Sequence, residues 1–257
     1  MLKGGGREGR CGPHPIWTDS SDSRLAAACA RIGSTLDDAF AARFGVRPSG
    51  TGSEGIVLFS EMGAYRRYVR EAGWLAAGYA GFASEVDGLV VLHAGVPRAQ
   101  VLTTLAHELT HMAERRSLGN ALPPWLSEGL ADAVGYTAGE AGIGELSGLG
   151  GVEGQAKRLR SAYREGAAEA LQRLASLPRS RFDRGIRSYD YEQSARLVRY
   201  LLLDPTLKPR FRAYLARLGA GERYDAERCR NALGPSWSAL DAGLRAWVER
   251  ESAVRRR

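Results

Sequence analysis

The sequence predicts an α+β fold, in which a small mixed-sheet N-terminal lobe is followed by an all-helical C-terminal lobe. Three short apolar runs bounded by turn residues lie within the first hundred residues, as expected for buried strands. Beyond residue 98 apolar residues recur only at helical spacing. The 257 residues suffice for one domain, which we place at 12–257 with lobes at 12–118 and 119–257, and residues 1–11 form a flexible N-terminus.

The N-terminal lobe combines strands and helices. Its predicted elements are a strand at 14–18, a helix from Asp19 or Ser20 to Phe44, a strand at 56–59, a helix at 61–71, a strand at 88–93 and a helix at 98–117. The first helix has one apolar stripe from Leu25 to Phe44, and the last strand is bounded by Gly88 and Gly95. The final helix has Val101, Leu105 and Leu109 on one face.

The C-terminal lobe is predicted to begin with a helix from Pro123 or Pro124 to Tyr136, because proline is tolerated in a first turn. Residues 139–154 contain seven glycines, which predicts a mobile loop that could cover a site as a lid. Further helices are predicted at about 155–176, 189–203, 206–218, 224–232 and 236–252.

Composition limits the classes of function. The net charge of +7 comes mostly from arginines, which alternate with apolar residues on the late helices, as on solvated helix faces. No run approaches the length of a membrane span. No apolar segment typical of a secretory signal is present, which favours a cytoplasmic location for the sequence as it stands and leaves an extracytoplasmic location open if the start is trimmed.

The motif His-Glu-x-x-His at 107–111 is the chemically informative segment. On a helix, His107 and His111 lie one turn apart on one face, so that both imidazoles can reach one Zn²⁺. Glu108 points about 100° away around the helix. Its carboxylate therefore lies beside the metal without binding it, where it can take a proton from zinc-bound water.

A catalytic zinc needs a third protein ligand, and the next predicted helix offers Glu128. Asp132 lies one turn further on, where its carboxylate can accept a hydrogen bond from the free ring nitrogen of a ligand histidine. The zincin class with a third histidine is excluded, because Glu114 and Ser117 stand at the positions where that class has glycine and histidine.

The segments HELTH and WLSEGLAD together resemble the gluzincin clan of zinc metallopeptidases, most closely its small bacterial peptidase-MA-like domains. The resemblance implies a zincin-like fold with Glu128 as the third ligand and Asp132 behind His107. The segment YEQSA resembles the Y-x-K-G-A segment of alanyl aminopeptidases, which implies that Tyr191 donates a hydrogen bond to the tetrahedral intermediate; Tyr189 competes for this role.

The resemblance to aminopeptidases is incomplete, because their G-x-M-E-N motif is absent and GFASE at 81–85 does not match it. Endopeptidase and aminopeptidase modes therefore both stay open. In zincins the strand before the HExxH helix binds extended substrate as an added strand, which implies this role for residues 88–93.

The sequence thus predicts a metallopeptidase that binds one zinc ion per chain and hydrolyses peptide or protein substrates. One alternative is a catalytically inactive zinc-binding or partner-binding protein of the same fold. The other is a basic helical nucleic-acid-binding protein, which the net charge favours but which no aromatic-basic motif accompanies. The sequence predicts neither the physiological substrate nor the oligomeric state.

Overall fold

The computed structural model describes residues 6–50, 52, 54–74, 78–84, 86–119, 122–140, 151–182 and 189–254. The described residues have the predicted mixed α/β composition with a mixed sheet, which has five strands where three were predicted. The chain forms two compact units. The first comprises the described residues within Met1–Ala41, Arg47–Arg116 and Val134–Leu149, and the second those within Ala42–Val46, Ser117–Ala133 and Gly150–Arg257.

The described residues form the following elements. The strands are β1 (Arg7–Cys11), β2 (His14–Thr18), β3 (Gly55–Phe59), β4 (Gly81–Ser84) and β5 (Leu89–His93). The helices are α1 (Ser23–Phe44), α2 (Met62–Glu71), α3 (Arg98–Leu118), α4 (Pro124–Glu140), α5 (Gly151–Glu165), α6 (Leu171–Leu174), α7 (Arg179–Phe182), α8 (Asp190–Leu203), α9 (Leu207–Gly219), α10 (Ala226–Leu233) and α11 (Trp237–Val254).

The sheet of the first unit has the strand order β1-β2-β3-β5-β4. The central pairs β2–β3 and β3–β5 are parallel, whereas β1 and β4 pair antiparallel at the two edges. The predicted strands at 14–18, 56–59 and 88–93 are confirmed. Residues 7–11 form β1, although they were expected to belong to a flexible N-terminus.

Residues 88–93 were expected to bind extended substrate as an added strand, and their place inside the sheet contradicts this expectation. The strand β5 is hydrogen-bonded to β3 on one side and to β4 on the other, so it has no unpaired edge for an added peptide. The antiparallel strand β4, at 81–84, is the edge strand on this side of the sheet. Any peptide that extends this side of the sheet must therefore pair with β4.

Strand residues alternate between the two faces of the sheet, which gives α2 an apolar surface to cover. On that face Val57, Phe59 and Val91 form a buried cluster with Tyr65 and Val69 of α2. The pattern follows from the two-residue period of a strand, because alternate side chains point to the same face. This cluster anchors α2 on the sheet.

The C-terminal part of α3 is held within the first unit by buried and partly buried charges. Arg116 binds both carboxylate oxygens of Asp37 on α1, at 2.7 and 2.8 Å, and its Nε lies 3.3 Å from Oε1 of Glu54. On the other side of Glu54, the buried His14 of β2 places Nδ1 3.2 Å from Oε2. These contacts fix the helix that carries the HExxH motif against α1 and the sheet.

The second unit is helical. Within it α11 packs against α5, α6 and α8, and α9 packs against α8 and α10. The helices predicted near 189–203, 206–218, 224–232 and 236–252 are confirmed within a few residues. The helix predicted at 155–176 is wrong in extent, because α5 ends at Glu165 and the separate helix α6 follows.

The glycine-rich segment 139–154 was predicted to be a loop, and its ends contradict that prediction. The helix α4 continues to Glu140 and α5 begins at Gly151, so residues 139–140 and 151–154 are helical. Residues 141–150 lie outside the described part of the chain, and so does the prediction of a lid that rests on them.

Within the described residues, no helix combines the length and the apolar character that a membrane span requires.

Candidate metal centre

The two histidines of the HExxH motif face each other on α3. The Nε2 atoms of His107 and His111 are 3.2 Å apart, and the rings meet edge to face with centroids 4.8 Å apart. Both side chains are partly buried. The helical spacing of four residues produces this geometry, since it stacks the side chains one turn apart. Both imidazoles thus present the same ring nitrogen to one point.

Glu128 joins these histidines in a group that could hold a metal ion. One potential ligand atom from each of His107, His111 and Glu128 lies within 4.8 Å of the others. A tetrahedral zinc site with bonds of about 2.0–2.2 Å has ligand atoms about 3.3–3.6 Å apart. The Nε2 atoms of the imidazole pair, 3.2 Å apart, have nearly that spacing. Two imidazoles and one carboxylate are also a donor set that catalytic zinc uses, so the residues fit a metal ion.

Glu128 is held in the second unit by the first turn of α4. This turn begins after Pro123, whose carbonyl accepts hydrogen bonds from the amides of Leu126 and Ser127. The fully buried indole of Trp125 donates from Nε1 to the Tyr224 hydroxyl at 3.1 Å. Glu128 itself is only 6% exposed. The segment WLSE therefore fixes the carboxylate through a buried aromatic anchor.

A buried carboxylate needs a charged or hydrogen-bonding partner, and Arg179 of α7 supplies one. Its Nη1 lies 2.6 Å from Oε1 of Glu128. Sequence reasoning missed this residue, since it lies 51 positions along the chain from Glu128 and the short helix α7 was not predicted.

Glu114 is a second residue that sequence reasoning missed. It is 3% exposed, and its Oε2 lies 3.5 Å from Nδ1 of His111. A proton on Nδ1 that faces this carboxylate leaves the lone pair of Nε2 available for a metal ion, which is the orientation that metal-binding histidines require. The available signal was a carboxylate three residues after His111 on the same helix.

Glu108 is partly buried on α3 and does not belong to the group of three ligand residues. Its charge acts on the fully buried Tyr65 of α2. The pKa of Tyr65 is raised, chiefly because the phenol is buried and further because of the negative charge of Glu108. The predicted general base therefore lies within electrostatic range of a phenol that stays protonated.

The remaining predicted site residues are Asp132, Tyr191 and Tyr189. Asp132 is partly buried one turn after Glu128 on α4, and its role behind His107 stays a prediction. Tyr191, near the start of α8, packs edge to face on Phe182 of α7 with ring centroids 4.7 Å apart. Tyr189 lies just outside α8 at its N-cap position. The choice between the two tyrosines as hydrogen-bond donor stays open.

The glycine that follows Glu128 has a packing role in the second unit. A Cβ atom at Gly129 would lie 2.5 Å from Cγ2 of Val198 and 2.7 Å from the carbonyl oxygen of Ser194. Both residues belong to α8. Only glycine therefore lets α8 approach α4 this closely beside Glu128, which explains the small residue in the segment SEGLAD.

Gly129→Ala is expected to destabilise the protein. Forcing a methyl group against the Ser194 carbonyl costs about 1 to 3 kcal/mol, which exceeds the gain of up to about 1 kcal/mol from the higher helix propensity of alanine. Chemical denaturation would measure the free energy of unfolding. Gly63→Ala on α2 is the matched control, since its nearest neighbouring atom is 3.9 Å away. An unfolding free energy of Gly129→Ala equal to or above that of the wild type would contradict this close approach.

Comparison with known proteins adds no assignment to this geometry. No family model matches the sequence, and no curated protein matches it.

Proposed function

We propose that this protein is a zinc-dependent metallopeptidase of the gluzincin type. The observation that carries the proposal is the grouping of His107, His111 and Glu128, in which an HExxH helix and a glutamate from the next helix offer three ligand atoms to one ion. Retention of Glu108 between the two histidines favours a hydrolytic site over a structural one. A structural metal site has no use for a carboxylate that does not bind the metal.

A zinc ion held by His107, His111 and Glu128 would supply an acidified water molecule and polarise the scissile carbonyl. Glu108 accepts the proton of the attacking water and returns it to the leaving amine. Glu114 accepts the Nδ1 proton of His111 and so keeps Nε2 of that histidine directed away from the carboxylate. Tyr191, or Tyr189 in its place, donates a hydrogen bond from its hydroxyl to the developing oxyanion.

The edge strand β4 is the surface that we assign to the peptide substrate. A Cβ atom at Gly81 would lie 2.8 Å from Cγ2 of Thr104, so the first residue of β4 packs directly against α3. Thr104 is one helical turn before Glu108. Among the described residues no strand pairs with the outer edge of β4. A peptide added there by main-chain hydrogen bonds would therefore run beside the helix that carries the general base.

Cleavage of a mixed peptide library by the zinc-loaded protein tests the proposal. Mass spectrometry of the products is expected to show zinc-dependent peptide-bond hydrolysis that a chelator abolishes. Internal cleavage would assign an endopeptidase, and stepwise loss of N-terminal residues an aminopeptidase. Stoichiometric zinc binding without any cleavage would refute the peptidase proposal and favour the inactive zinc-binding alternative.

A further inference from the structure

We propose that Arg179 is the residue that positions Glu128 for metal binding. The inference rests on the proposed metal site and names a residue outside its three ligands. Arg179 acts through the carboxylate that it holds, so it is a positioning residue and not a ligand. Neither the HExxH motif nor the segment WLSEGLAD contains it.

The contact between Arg179 and Glu128 is short and charge-assisted. Nη1 of Arg179 lies 2.6 Å from Oε1 of Glu128, just below the usual range of about 2.7–2.9 Å for an ionised hydrogen-bonded pair. The side chain of Glu128 is 8% exposed, whereas that of Arg179 is 47% exposed. Arginine thus reaches from the surface to a carboxylate that is almost removed from water.

The backbone that carries Arg179 is itself fixed. Phe182 is fully buried at the end of α7, and its amide donates to the carbonyl of Pro178 at 3.1 Å. Before α7, the carbonyl of Ala175 accepts a hydrogen bond from the Tyr224 hydroxyl at 2.9 Å. This hydroxyl also accepts the indole hydrogen bond of Trp125 in α4. The segment that presents Arg179 is therefore tied to the same helix turn that presents Glu128.

Two effects of Arg179 on metal binding oppose each other. Its hydrogen bond holds the Glu128 side chain in one rotamer before the metal arrives, which removes part of the side-chain ordering cost of metal binding. Its positive charge repels a divalent cation. Because the Arg179 side chain is half exposed, water weakens that repulsion, whereas the carboxylate that accepts its hydrogen bond is almost fully buried. The orientation of the Glu128 carboxylate by Arg179 therefore has a larger effect than the repulsion between the guanidinium and the metal ion. Arg179 strengthens metal binding as a result.

The geometry also predicts how Glu128 binds the ion. With a guanidinium on Oε1, the carboxylate uses its other oxygen for the metal and is a monodentate ligand. Without Arg179 the constraint on Oε1 is removed. Loss of Arg179 thus changes the coordination number as well as the affinity, which a purely structural role of this residue would not do.

Metal titration of purified full-length variants tests the inference. We would measure zinc affinity by competition with a chromophoric chelator for the wild type, Arg179→Gln, Arg179→Lys and Arg181→Gln. Arg179→Gln is expected to bind zinc about 10- to 100-fold more weakly, the usual effect of removing a residue that orients a ligand. Arg179→Lys should lie between it and the wild type, since a lysine keeps the charge without the planar fork. Arg181→Gln, an exposed arginine of the same helix, should match the wild type.

Cobalt(II) in place of zinc supplies a second readout. The visible absorption of the cobalt-loaded wild type should be intense, as in a four-coordinate site, and that of Arg179→Gln weaker, as in a site of higher coordination number. If Arg179→Gln does not fold, the spectrum of cobalt-loaded Arg179→Lys replaces it in the comparison, because lysine keeps a positive charge next to the buried carboxylate.

Each result decides between the possible roles. Tighter zinc binding by both Arg179 variants would show that the arginine competes with the metal and would overturn the inference. Unchanged affinity and an unchanged cobalt spectrum would also overturn it, while the proposed metal site would stand. If the wild type binds neither zinc nor cobalt, the metal site and the inference both fail.

Discussion

Glu108→Gln is expected to reduce peptide hydrolysis by about 10²- to 10⁴-fold and to leave the bound zinc unchanged. The amide has nearly the shape of the carboxylate but cannot accept the proton of the attacking water. Metal content should persist because Glu108 lies outside the group formed by His107, His111 and Glu128. The turnover number of the zinc-loaded variant and its zinc content by elemental analysis would be measured together.

The matched control is Glu71→Gln, which makes the same change at an exposed glutamate at the end of α2. It should retain the wild-type rate and the wild-type zinc content. Cleavage by Glu108→Gln at the wild-type rate would show that the hydrolysis belongs to another group or to a contaminant. Loss of zinc from Glu108→Gln would show instead that this carboxylate binds the metal.

Helices were predictable where local patterns decide them. The helix α3 follows a strand and carries apolar residues at helical spacing over its whole length, so its extent and the facing positions of His107 and His111 follow from residues close in sequence. Glu128, the proposed third ligand, was identified for a similar reason, because a second helix with a glutamate follows after a short connection. Here local periodicity and the chemistry of zinc pointed to the same residues.

Strands with weak local signals were missed. Residues 81–84, GFAS, contain no β-branched residue, and 7–11, REGRC, combine glycine with charges; both nevertheless form edge strands. Their pairing with β5 and β2 decides their conformation, and a pairing partner is not visible in the segment itself. For the same reason the sequence did not reveal that β5 is an internal strand.

The charged residues beside the proposed ligands could not be predicted either, because their contacts depend on the fold. Glu114 was visible as a residue three positions after His111, but its burial beside Nδ1 depends on how α3 packs. Arg179 follows Pro178 in a short segment with no clear period, and only the fold brings its guanidinium to Glu128. The proposed ligands could thus be named from a motif, whereas the residues that contact them depend on tertiary structure.

His111→Ala is expected to remove stoichiometric zinc. The substitution leaves one imidazole and one carboxylate, fewer than the three protein ligands that catalytic zinc uses. It also removes the Nε2 atom that lies 3.2 Å from that of His107, so no ion could keep the paired imidazole geometry. Elemental analysis of the purified variant should give a zinc content near zero where the wild type contains about one ion per chain.

Thermodynamic linkage supplies an independent readout of the same variant. A metal that binds only the folded chain stabilises it by about 2.7 kcal/mol when the free ion is 100 times more concentrated than its Kd. Added zinc should therefore raise the free energy of unfolding of the wild type and leave that of His111→Ala unchanged. His93→Asn is the matched control, since His93 is buried outside the ligand group and the asparagine oxygen can replace Nδ1 as acceptor for the Gly95 amide. If His111→Ala keeps full zinc occupancy, or if His93→Asn loses its zinc while remaining folded, the assignment of His107, His111 and Glu128 as the ligands is wrong.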